Sequence, residues 1–522
     1  MSPSSGAVIG SYSLLDAEQA GEAVASAVRA FPSWRKTPFA ERARILDRAR
    51  AIILAEADSI ADLVAREQGK PVAEAHLAEV LPALDHLKHL ALHAEETLAP
   101  QETDTAVFLV GHKQARIEWA PIGPVLVITP WNYPFSIPIT GIGAALMAGN
   151  TVVFKPAPAT TLIGLAIGDI FTRAGLPEGV LNTVACADSV AATLVSDARF
   201  RKILFTGSVP TGRRIMASAA AQGTPVTLEL GGKDPAIVCA DADLERASSG
   251  IVWAAFLNAG QTCASVERVY VEDKIADAFI AKVIEKTRAV RFGDPLDPTT
   301  DMGVLTMRRQ RDIVESHVAD ARAKGAKIET GGVTPEGPGN LYPPTVLTSV
   351  DHSMTIMRDE TFGPVLPIMR VASLDEAIRL ANDSPYGLTA SGWTTSEATA
   401  ARLEAELEAG VVTINDHAYT FSEPTSPWGG MKASGIGRTH GVLGLRDMCE
   451  PKYIARDMSR GGEAWWYPYG AEFVSMMTGA LQAFHHRFLP ARLWALTKLS
   501  FTKRYLKRGR ILRVLPDVFK LF

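Results

Sequence analysis

Apolar residues in the first hundred positions recur at three- and four-residue steps among charged residues, a spacing that places them on one face of a helix. The stretch from Asp16 to about Glu96 is therefore predicted to be helical. Residues 113–120 alternate polar with apolar side chains, which predicts an exposed strand. The uninterrupted apolar run 125–128 predicts a strand that is buried on both faces, as in a parallel sheet.

Beyond this strand, short apolar runs alternate with helical stretches, and this alternation predicts a mainly parallel α/β sheet. A second series of the same kind begins after Gly231, so we place a domain boundary near Gly232. The Gly- and Pro-rich stretch 330–344 is predicted to be an irregular surface loop. The strand candidates of the first series are 151–154, 180–184, 202–205 and 227–230, and those of the second are 236–239, 268–271, 364–370, 389–394 and 410–414.

Composition and charge narrow the class of protein. A chain of 522 residues is too long for one core, so two or three domains are expected. The net charge of −4 gives no reason to expect nucleic-acid binding. The four cysteines form no C-x-x-C pair or metal-ligand cluster, which indicates a reducing cytoplasm and no metal site. The first twenty residues do not resemble a signal peptide, and no apolar run reaches the roughly 18 residues of a membrane-spanning helix.

Three separated residues supply the parts of a covalent acyl-transfer reaction. Cys263 follows a polar, loop-like stretch, and a thiolate attacks carbonyl carbon well. Glu229, 34 positions upstream, can activate water, and Asn132 offers a neutral donor for an oxyanion. Each residue also has a purely structural explanation. The alternatives are a small buried hydrophobic residue for Cys263, a hydrogen-bonded carboxylate at a strand end for Glu229, and a turn residue for Asn132. We interpret the other three cysteines as buried hydrophobes.

A candidate phosphate site follows the strand candidate 202–205. The segment 205–212, Phe-Thr-Gly-Ser-Val-Pro-Thr-Gly, leads from a strand into a helix, where glycines allow close backbone approach and the helix N-terminus favours a phosphate. The dinucleotide fingerprint G-x-G-x-x-G is not convincingly present, and an ordinary strand–turn–helix junction has the same pattern.

Seven short motifs occur in one order along the chain, and through them the sequence resembles the NAD(P)-dependent aldehyde dehydrogenase superfamily from about residue 31 to about residue 453. Each motif alone is a weak signal, but their common order is very specific. The motifs are Thr-Pro-Trp-Asn-Tyr-Pro (129–134), Gly-Asn-Thr with Lys-Pro (149–156), Phe-Thr-Gly-Ser with Gly212 (205–212), Leu-Glu-Leu-Gly-Gly-Lys (228–233), Gly-Gln-Thr-Cys (260–263), Glu-Thr-Phe-Gly-Pro (360–364) and Ser-Gly-Ile-Gly-Arg (434–438).

The resemblance implies an α/β fold of the aldehyde dehydrogenase type. The expected domains are a Rossmann-type cofactor domain (1–105 and 122–231), a second α/β catalytic domain (232–445), a small oligomerisation sheet (106–121 and 446–456) and a helical C-terminal extension (457–522). A homodimer or homotetramer is also implied, in which the segment 448–453 adds a strand to a partner subunit's sheet.

The resemblance also implies that the chain binds NAD⁺ or NADP⁺. Lys155 would bond the adenosine ribose, Ser208 would contact the pyrophosphate, and Glu360 would hold the nicotinamide ribose. Many NAD-preferring relatives carry an acidic residue where this chain has Pro158, so we predict that NADP⁺ is at least tolerated. The structural alternatives are a solvated surface lysine for Lys155 and an aromatic residue of the core for Phe362. The other residues assigned to this cleft are Ile128, Trp131, Gly207, Gly212, Leu230 and Phe362.

The implied reaction oxidises an aldehyde to its carboxylic acid. Cys263 adds to the carbonyl carbon, the Asn132 side chain and the Cys263 N–H stabilise the oxyanion, and hydride leaves to nicotinamide. Glu229 then activates the water that hydrolyses the thioester, which favours a free acid over transfer to coenzyme A. Gly141 and Thr439 stand where relatives often carry lysine and glutamate, so the route of the released proton is left open.

The implied aldehyde tunnel has apolar, aromatic or small walls. The helix after Pro134 offers no arginine for a carboxylated aldehyde, so lipophilic aliphatic or aromatic aldehydes are favoured. Succinic semialdehyde is the alternative, because some relatives that oxidise it share the Cys-x-Ser-x-Glu-Arg arrangement of 263–268. A non-catalytic scaffold or membrane-associated relative is a further alternative, against which the presence of all three catalytic residues argues. The residues assigned to the tunnel are Tyr133, Leu257, Thr262, Ala264 and Trp428.

The chain continues well beyond the end of the resemblance. From Arg487 onward, ten basic residues stand against one acid, Asp517, and aromatic and aliphatic residues are interleaved with them. Such amphipathic segments predict either an interfacial membrane anchor or an arm packed on a neighbouring subunit, with nucleic acid a distant third. We therefore expect a cytoplasmic protein, either free or held on the inner face of a membrane.

Overall fold

The fold was examined in a computed structural model that describes residues 1–103, 113–337, 339–458, 460, 462–463 and 465–499. The chain forms two compact units. The first contains Met1–Leu98 and Pro121–Glu450, and the second contains Ala99–Ala120 and the chain from Pro451 onward. The predicted division of the larger part into a cofactor domain and a catalytic domain stays a prediction.

Residues 17–97 are mainly helical, as their periodicity predicts. Asp16 caps the first helix by accepting from the Gln19 N–H, while the Gln19 side chain accepts from the Asp16 N–H. This reciprocal arrangement satisfies two amide groups that a helix end otherwise leaves unpaired. A single π-helical turn, His76–Val80, precedes the last helix. The helices are α1 (Ala17–Trp34), α2 (Phe39–Ala55), α3 (Ala57–Glu67), α4 (Val72–Ala75) and α5 (Leu81–Thr97).

The smaller unit contains a three-stranded sheet in the order β1-β2-β16, counted over the described residues. Strands β1 (Gln101–Thr103) and β2 (Gln114–Pro121) pair antiparallel, and β16 (Cys449–Arg456) lies at the other edge. The described chain ends with two helices, α16 (Ala471–His485) and α17 (Leu489–Leu499), which pack on each other. Within the described ranges, no helix has the length and apolar content needed to cross a bilayer.

A six-stranded sheet in the order β15-β7-β6-β3-β4-β5 forms the first half of the larger unit in the described chain. Its central strands are parallel, and β3 and β4 are buried along their whole length, as their continuous apolar runs predict. The strands are β3 (Pro124–Ile128), β4 (Thr151–Lys155), β5 (Leu181–Thr183), β6 (Lys202–Thr206), β7 (Val226–Glu229) and the antiparallel β15 (Gly435–Ile436). The helices between them are α6 (Ser136–Met147), α7 (Thr161–Arg173), α8 (Asp188–Val195) and α9 (Val209–Gln222).

A seven-stranded sheet in the order β10-β11-β12-β9-β8-β13-β14 carries the second core of the described residues. It is parallel except for β10, and the sequence pattern missed both β10 and β11. Its strands are β8 (Asp234–Val238), β9 (Val266–Glu272), β10 (Lys327–Thr330), β11 (Thr345–Thr348), β12 (Val365–Val371), β13 (Thr389–Trp393) and β14 (Val411–Ile414). The helices are α10 (Leu244–Phe256), α11 (Asp273–Ala289), α12 (Arg308–Ala323), α13 (Leu374–Asn382), α14 (Glu397–Glu406) and α15 (Gly441–Arg446).

Candidate active site

Cys263 lies in a sharply turned loop between α10 and β9. The residues before it, Asn258, Ala259 and Gly260, have φ values of 56°, 53° and 70°, which place three successive residues in the left-handed region. Only glycine adopts this region without cost, so the first two are strained positions of the kind that cluster at functional sites. At Gly260 a Cβ atom would collide with the Gly363 carbonyl oxygen. The loop is therefore held by its surroundings rather than by local preference.

The Cys263 side chain is half-buried, and its surroundings favour the neutral thiol. Burial raises the pKa of the thiol, and the negative charges of Asp234, Glu360 and Glu229 raise it further. The Ala264 backbone N–H, which points at the sulfur, acts in the opposite direction. Because the thiolate is the nucleophile, the reaction requires loss of this proton.

Glu229 is the last residue of β7 and is only 5% exposed. Neither of its carboxyl oxygens has a hydrogen-bond partner among the described residues. Burial raises the pKa of this carboxyl well above its usual range, against a smaller opposite effect of Arg438. A buried carboxyl group without partners is costly for the fold, and a carboxyl group whose pKa burial has raised is typical of a group that exchanges protons in an active site.

Asn132 lies between β3 and α6 and is buried. Its side-chain amide donates to the Gln261 backbone carbonyl oxygen at 2.9 Å. An amide NH₂ group carries two N–H donors, so one remains for an oxyanion formed beside Cys263. The structure therefore brings the predicted donor to the loop of the predicted nucleophile.

Two cavities meet at the candidate catalytic residues. One has a volume of about 50 Å³ and the other about 330 Å³. Both are lined by Cys263, Glu229, Thr206 and Leu230. A molecule in either cavity therefore reaches the same thiol and the same carboxyl group.

The larger cavity has a polar floor and lies where a parallel sheet presents the carboxyl ends of its strands, the usual position of a nucleotide in such folds. Ser208 and Gly207 line it at the start of α9, and helix N-termini favour phosphate. Trp131 and Phe362 meet edge to face with their centroids 5.5 Å apart. Glu360 accepts from the Gly232 N–H, and burial together with the charge of Glu267 raises the pKa of Glu360 to about 8. Six of the nine predicted cofactor residues line this cavity: Trp131, Gly207, Ser208, Leu230, Glu360 and Phe362.

The other three predicted cofactor residues lie outside the lining of this cavity. Ile128 ends β3, Lys155 ends β4, and Gly212 is in the first turns of α9. The Lys155 ammonium group lies 3.4 Å from the carboxylate of Asp188, whose side chain is 89% exposed. Pro158 is exposed nearby on the chain, at the start of a short 3₁₀ turn. An acidic group is thus present beside Lys155, although it comes from the first residue of α8.

The smaller cavity is mainly apolar. Trp428 lines it and contacts Phe421 edge to face at 5.5 Å. Tyr133, Leu257 and Thr262, which were also assigned to the tunnel, are buried but are not among the residues that line this cavity. Its apolar lining includes Leu90, Ile137, Leu388, Phe421, Trp428, Leu445 and Met448.

Four histidines that sequence reasoning missed also line the apolar cavity: His86, His89, His93 and His440. The rings of His86 and His440 are 4.2 Å apart. Burial lowers the pKa of His86 to about 4 and the pKa of His440 well below its usual range, so both are neutral at pH 7. The first three follow an i, i+3, i+7 spacing on α5, and that signal was available in the sequence.

Gly141 and Thr439, which stand where relatives often carry lysine and glutamate, both line the apolar cavity. A Cβ atom at Gly141 would lie 2.7 Å from a methyl group of Leu204, so Leu204 fills the space beside the α6 backbone. The Thr439 hydroxyl group is buried and has no hydrogen-bond partner among the described residues. Neither position offers an ionisable side chain that takes a proton from Glu229.

Comparison with known proteins shows the family of the chain. The sequence profile of the aldehyde dehydrogenase family matches residues 1–454. The chain is 39% identical over 482 residues to a 4,4'-diapolycopene aldehyde oxidase of Methylomonas sp, covering 92% of this chain and 90% of that protein. It is 37% identical over 465 residues to an NADP⁺ succinate-semialdehyde dehydrogenase of Mycolicibacterium paratuberculosis, covering 89% of this chain and 98% of that protein.

A solved structure gives the same result. The betaine aldehyde dehydrogenase of Staphylococcus aureus, determined in complex with NAD⁺, superimposes with a TM-score of 0.85 at 32% identity and covers 90% of this chain and 93% of its own. The chain belongs to the aldehyde dehydrogenase family. It is an NAD(P)-dependent enzyme that oxidises an aldehyde, with the mixed α/β fold that the sequence predicts.

Proposed function

We propose that this enzyme oxidises a lipophilic aliphatic or aromatic aldehyde to the free carboxylic acid through a covalent intermediate on Cys263. The observation that carries this proposal is the meeting of an apolar and a polar cavity at Cys263 and Glu229. An aldehyde in the apolar cavity and a nicotinamide cofactor in the polar one would then both reach Cys263.

The side chains divide the chemistry among them. The Cys263 sulfur forms a bond to the aldehyde carbon, and the resulting oxyanion accepts from the Asn132 amide and the Cys263 backbone N–H. NAD⁺ or NADP⁺ supplies the hydride acceptor. Loss of hydride turns the carbon–sulfur adduct into a thioester. Glu229 then takes a proton from water as the water attacks the thioester carbon, the carbon–sulfur bond breaks, and the acid leaves.

Hydrolysis is favoured over transfer to coenzyme A because Glu229 is positioned as a base for water. Both of its oxygens are without a hydrogen-bond partner in the described part of the chain, so they are available to a water molecule at the thioester. A transfer to a thiol acceptor would not need this carboxylate.

The apolar cavity supports a lipophilic substrate. Among the described residues that line it, none is a lysine or an arginine, and His86 and His440 are neutral at pH 7. Burying the carboxylate of succinic semialdehyde there would leave a charge without a cation, which is strongly unfavourable. The name of the Methylomonas relative specifies the aldehyde of an apolar polyene, while the Mycolicibacterium relative is named for succinic semialdehyde.

The test compares three aldehydes by the absorbance of NAD(P)H. Decanal represents the lipophilic class, and butanal has the carbon count of succinic semialdehyde without its carboxylate. We expect kcat/KM to decrease from decanal to butanal to succinic semialdehyde, with at least a hundredfold between the first and the last. A higher kcat/KM for succinic semialdehyde than for butanal would contradict this proposal and would favour the alternative, a succinic semialdehyde dehydrogenase. No reduction of cofactor by any aldehyde would favour a non-catalytic scaffold.

The C-terminal helices support attachment to a membrane surface. Several large apolar side chains on and between these helices are exposed to solvent, with Phe488 70% and Trp494 63% exposed, and the basic residues Arg487 and Arg492 are close to them in the chain. Aromatic residues next to basic ones are typical of interfacial membrane binding. The remaining basic segment of the tail lies outside the described residues.

Sedimentation with vesicles that contain anionic lipid tests this attachment. The paired change Phe488→Glu and Trp494→Glu should leave the enzyme in the supernatant, whereas Leu54→Glu, at a similarly exposed residue of α2, should not. A chain truncated after Arg456 provides a second comparison. If all forms stay in the supernatant and the truncated form has a smaller assembly, the tail is an arm between subunits.

The exposed edge strand β16 supports the predicted homodimer or homotetramer.

A further inference from the structure

A fully buried ion pair lies behind the candidate oxyanion donor. The Lys70 ammonium group is 2.6 Å from a carboxylate oxygen of Glu79, and both side chains are 0% exposed. Two charges removed from water add little net stability, because their desolvation offsets their attraction. Holding neighbouring groups in place is therefore a better explanation for this pair than stabilising the fold.

Lys70 contacts the segment that carries Asn132 and, through Tyr133, the loop that carries Cys263. Its ammonium group donates to the backbone carbonyl oxygen of Asn132 at 2.9 Å and lies 3.8 Å from the centroid of the Tyr133 ring. The Tyr133 hydroxyl group is 2.8 Å from the hydroxyl group of Thr262, the residue before Cys263. One cation thus fixes the oxyanion donor and, through an aromatic ring, the loop of the nucleophile.

Glu79 fixes the chain just after Asn132. Its second carboxylate oxygen accepts from the backbone N–H groups of Phe135 and Ser136 at 3.1 and 2.8 Å, where α6 begins. A carboxylate at a helix N-terminus also interacts favourably with the helix dipole. Asn132 is therefore held from its own carbonyl group and from the start of the helix that follows it.

A buried amide network connects this pair to the nucleophile loop. Gln68 accepts from the Lys70 N–H at 2.8 Å and donates to the side-chain oxygen of Asn258 at 2.9 Å. The Asn258 amide in turn donates to the carbonyl oxygens of Asn132 and Gln261, at 2.9 and 3.1 Å. A network with these groups mutually satisfied is rigid, because moving any member breaks bonds at several others.

We propose that Lys70, with Glu79, is a positioning residue for the oxyanion site: the pair fixes Asn132 so that its free amide N–H faces the oxygen of a carbonyl compound bound to Cys263. This inference rests on the proposed mechanism, in which Asn132 is the donor. A displacement of a catalytic group by about 1 Å can cost about a hundredfold in rate. Loss of the pair should therefore slow only those reactions of Cys263 that pass through an oxyanion.

Two reactions of the thiol, both run on the full-length enzyme without cofactor, separate this effect from general damage. Acylation by p-nitrophenyl acetate forms an oxyanion, whereas alkylation by iodoacetamide does not. In the paired variant Lys70→Met with Glu79→Gln, which leaves no unpaired charge, acylation should fall about tenfold to a hundredfold while alkylation stays within about twofold. Asn132→Ala should show the same selective loss.

A double-mutant cycle tests whether the pair acts through Asn132. When Lys70→Met with Glu79→Gln is added to Asn132→Ala, the acylation rate should not fall further. The matched control is Glu67→Gln, since Glu67 is also buried and accepts from two N–H groups, of Leu162 and Ile163, at the start of α7. We expect this control to keep the wild-type ratio of acylation to alkylation.

Three results would overturn the inference: equal loss of acylation and alkylation, a further loss in the Asn132→Ala background, or a wild-type ratio in the paired variant. Failure of the proposed function itself looks different, because iodoacetamide would then alkylate Cys263 of the wild-type enzyme without abolishing aldehyde oxidation.

Discussion

The two cavities that meet at Cys263 differ in how they are lined. The cofactor side presents fixed polar groups, including Ser208 at a helix N-terminus, Glu360 and Gln310. The aldehyde side presents aromatic and aliphatic side chains and four histidines, of which His86 and His440 are neutral at pH 7. In the proposed function, one side selects its ligand by hydrogen bonds and charge, and the other selects it by excluding charge. The junction consists of the residues that line both cavities, including Cys263 and Glu229. Substitutions there should therefore alter the rate with every aldehyde. Substitutions in one cavity should alter only the kinetic parameters of the ligand that this cavity binds.

Replacing Asn132, whose side chain donates to the loop of Cys263, gives the largest expected effect. Loss of one oxyanion donor typically costs about 10²–10³ in rate, so Asn132→Ala should lower kcat by that factor for all aldehydes. KM for NAD⁺ should stay within about twofold, because the cofactor cleft keeps its other contacts. Steady-state kinetics with decanal and with butanal measure this. A loss confined to one aldehyde would show that Asn132 acts on substrate preference rather than on the oxyanion common to all aldehydes.

The pH dependence of the thiol gives the next largest effect. Burial and the charges of Asp234, Glu360 and Glu229 raise the pKa of Cys263, so across the neutral range the thiolate fraction rises about tenfold for each pH unit. Acylation by p-nitrophenyl acetate without cofactor should follow this slope between pH 6 and about pH 8.5, the ordinary pKa of a thiol. A plateau below pH 8 would contradict the assignment, because it would show a thiol that ionises early.

A cation placed on the aldehyde side should change substrate preference. His89 is half-buried and lines the apolar cavity, so His89→Arg introduces a charge that can reach a carboxylate. We expect kcat/KM for succinic semialdehyde to rise about tenfold, the value of a favourable charge-assisted pair, while decanal changes by less than about threefold. His89→Gln is the neutral control and should not raise it. An equal response to both aldehydes would place His89 away from the substrate.

The smallest effect is expected at the far end of the cofactor side. The Asp188 carboxylate lies beside Lys155 and would repel a 2′-phosphate on the ribose that Lys155 is proposed to bind. Because Asp188 is exposed, Asp188→Asn should raise the preference for NADP⁺ over NAD⁺ by no more than about fivefold. The ratio of kcat/KM for the two cofactors measures it. Asp169→Asn, at an exposed aspartate of α7, should leave the ratio unchanged.

Periodicity predicted the N-terminal helices and the parallel strands because their apolar positions repeat over many residues. Strands β10 and β11 were missed since each has four residues and they flank a Gly- and Pro-rich loop. The motifs identified Cys263, Glu229 and Asn132, which the structure places around one junction. The pair of Lys70 and Glu79 was not predicted, because its function depends on contacts such as the one from Gln68 to Asn258, 190 positions apart.

The aldehyde side was the harder half to predict. Trp428, which the sequence assigned to the tunnel, lines this cavity, and the four histidines that also line it come from α5 and from the segment after a glycine-rich motif, which only tertiary packing brings together. Hydrogen-bonding groups for a cofactor recur in fixed motifs, whereas an apolar wall can be built from many residue types.

The most direct test of the account traps the covalent intermediate. Glu229→Gln keeps the size of the side chain and removes the base, so oxidation should occur once and hydrolysis should stop. With NAD⁺ and decanal, this variant should release one equivalent of NADH per active site, and its intact mass should increase by one decanoyl group, located on Cys263 by peptide mapping. Continued turnover of Glu229→Gln at the wild-type rate, with no acyl group retained on Cys263, would contradict the proposed mechanism.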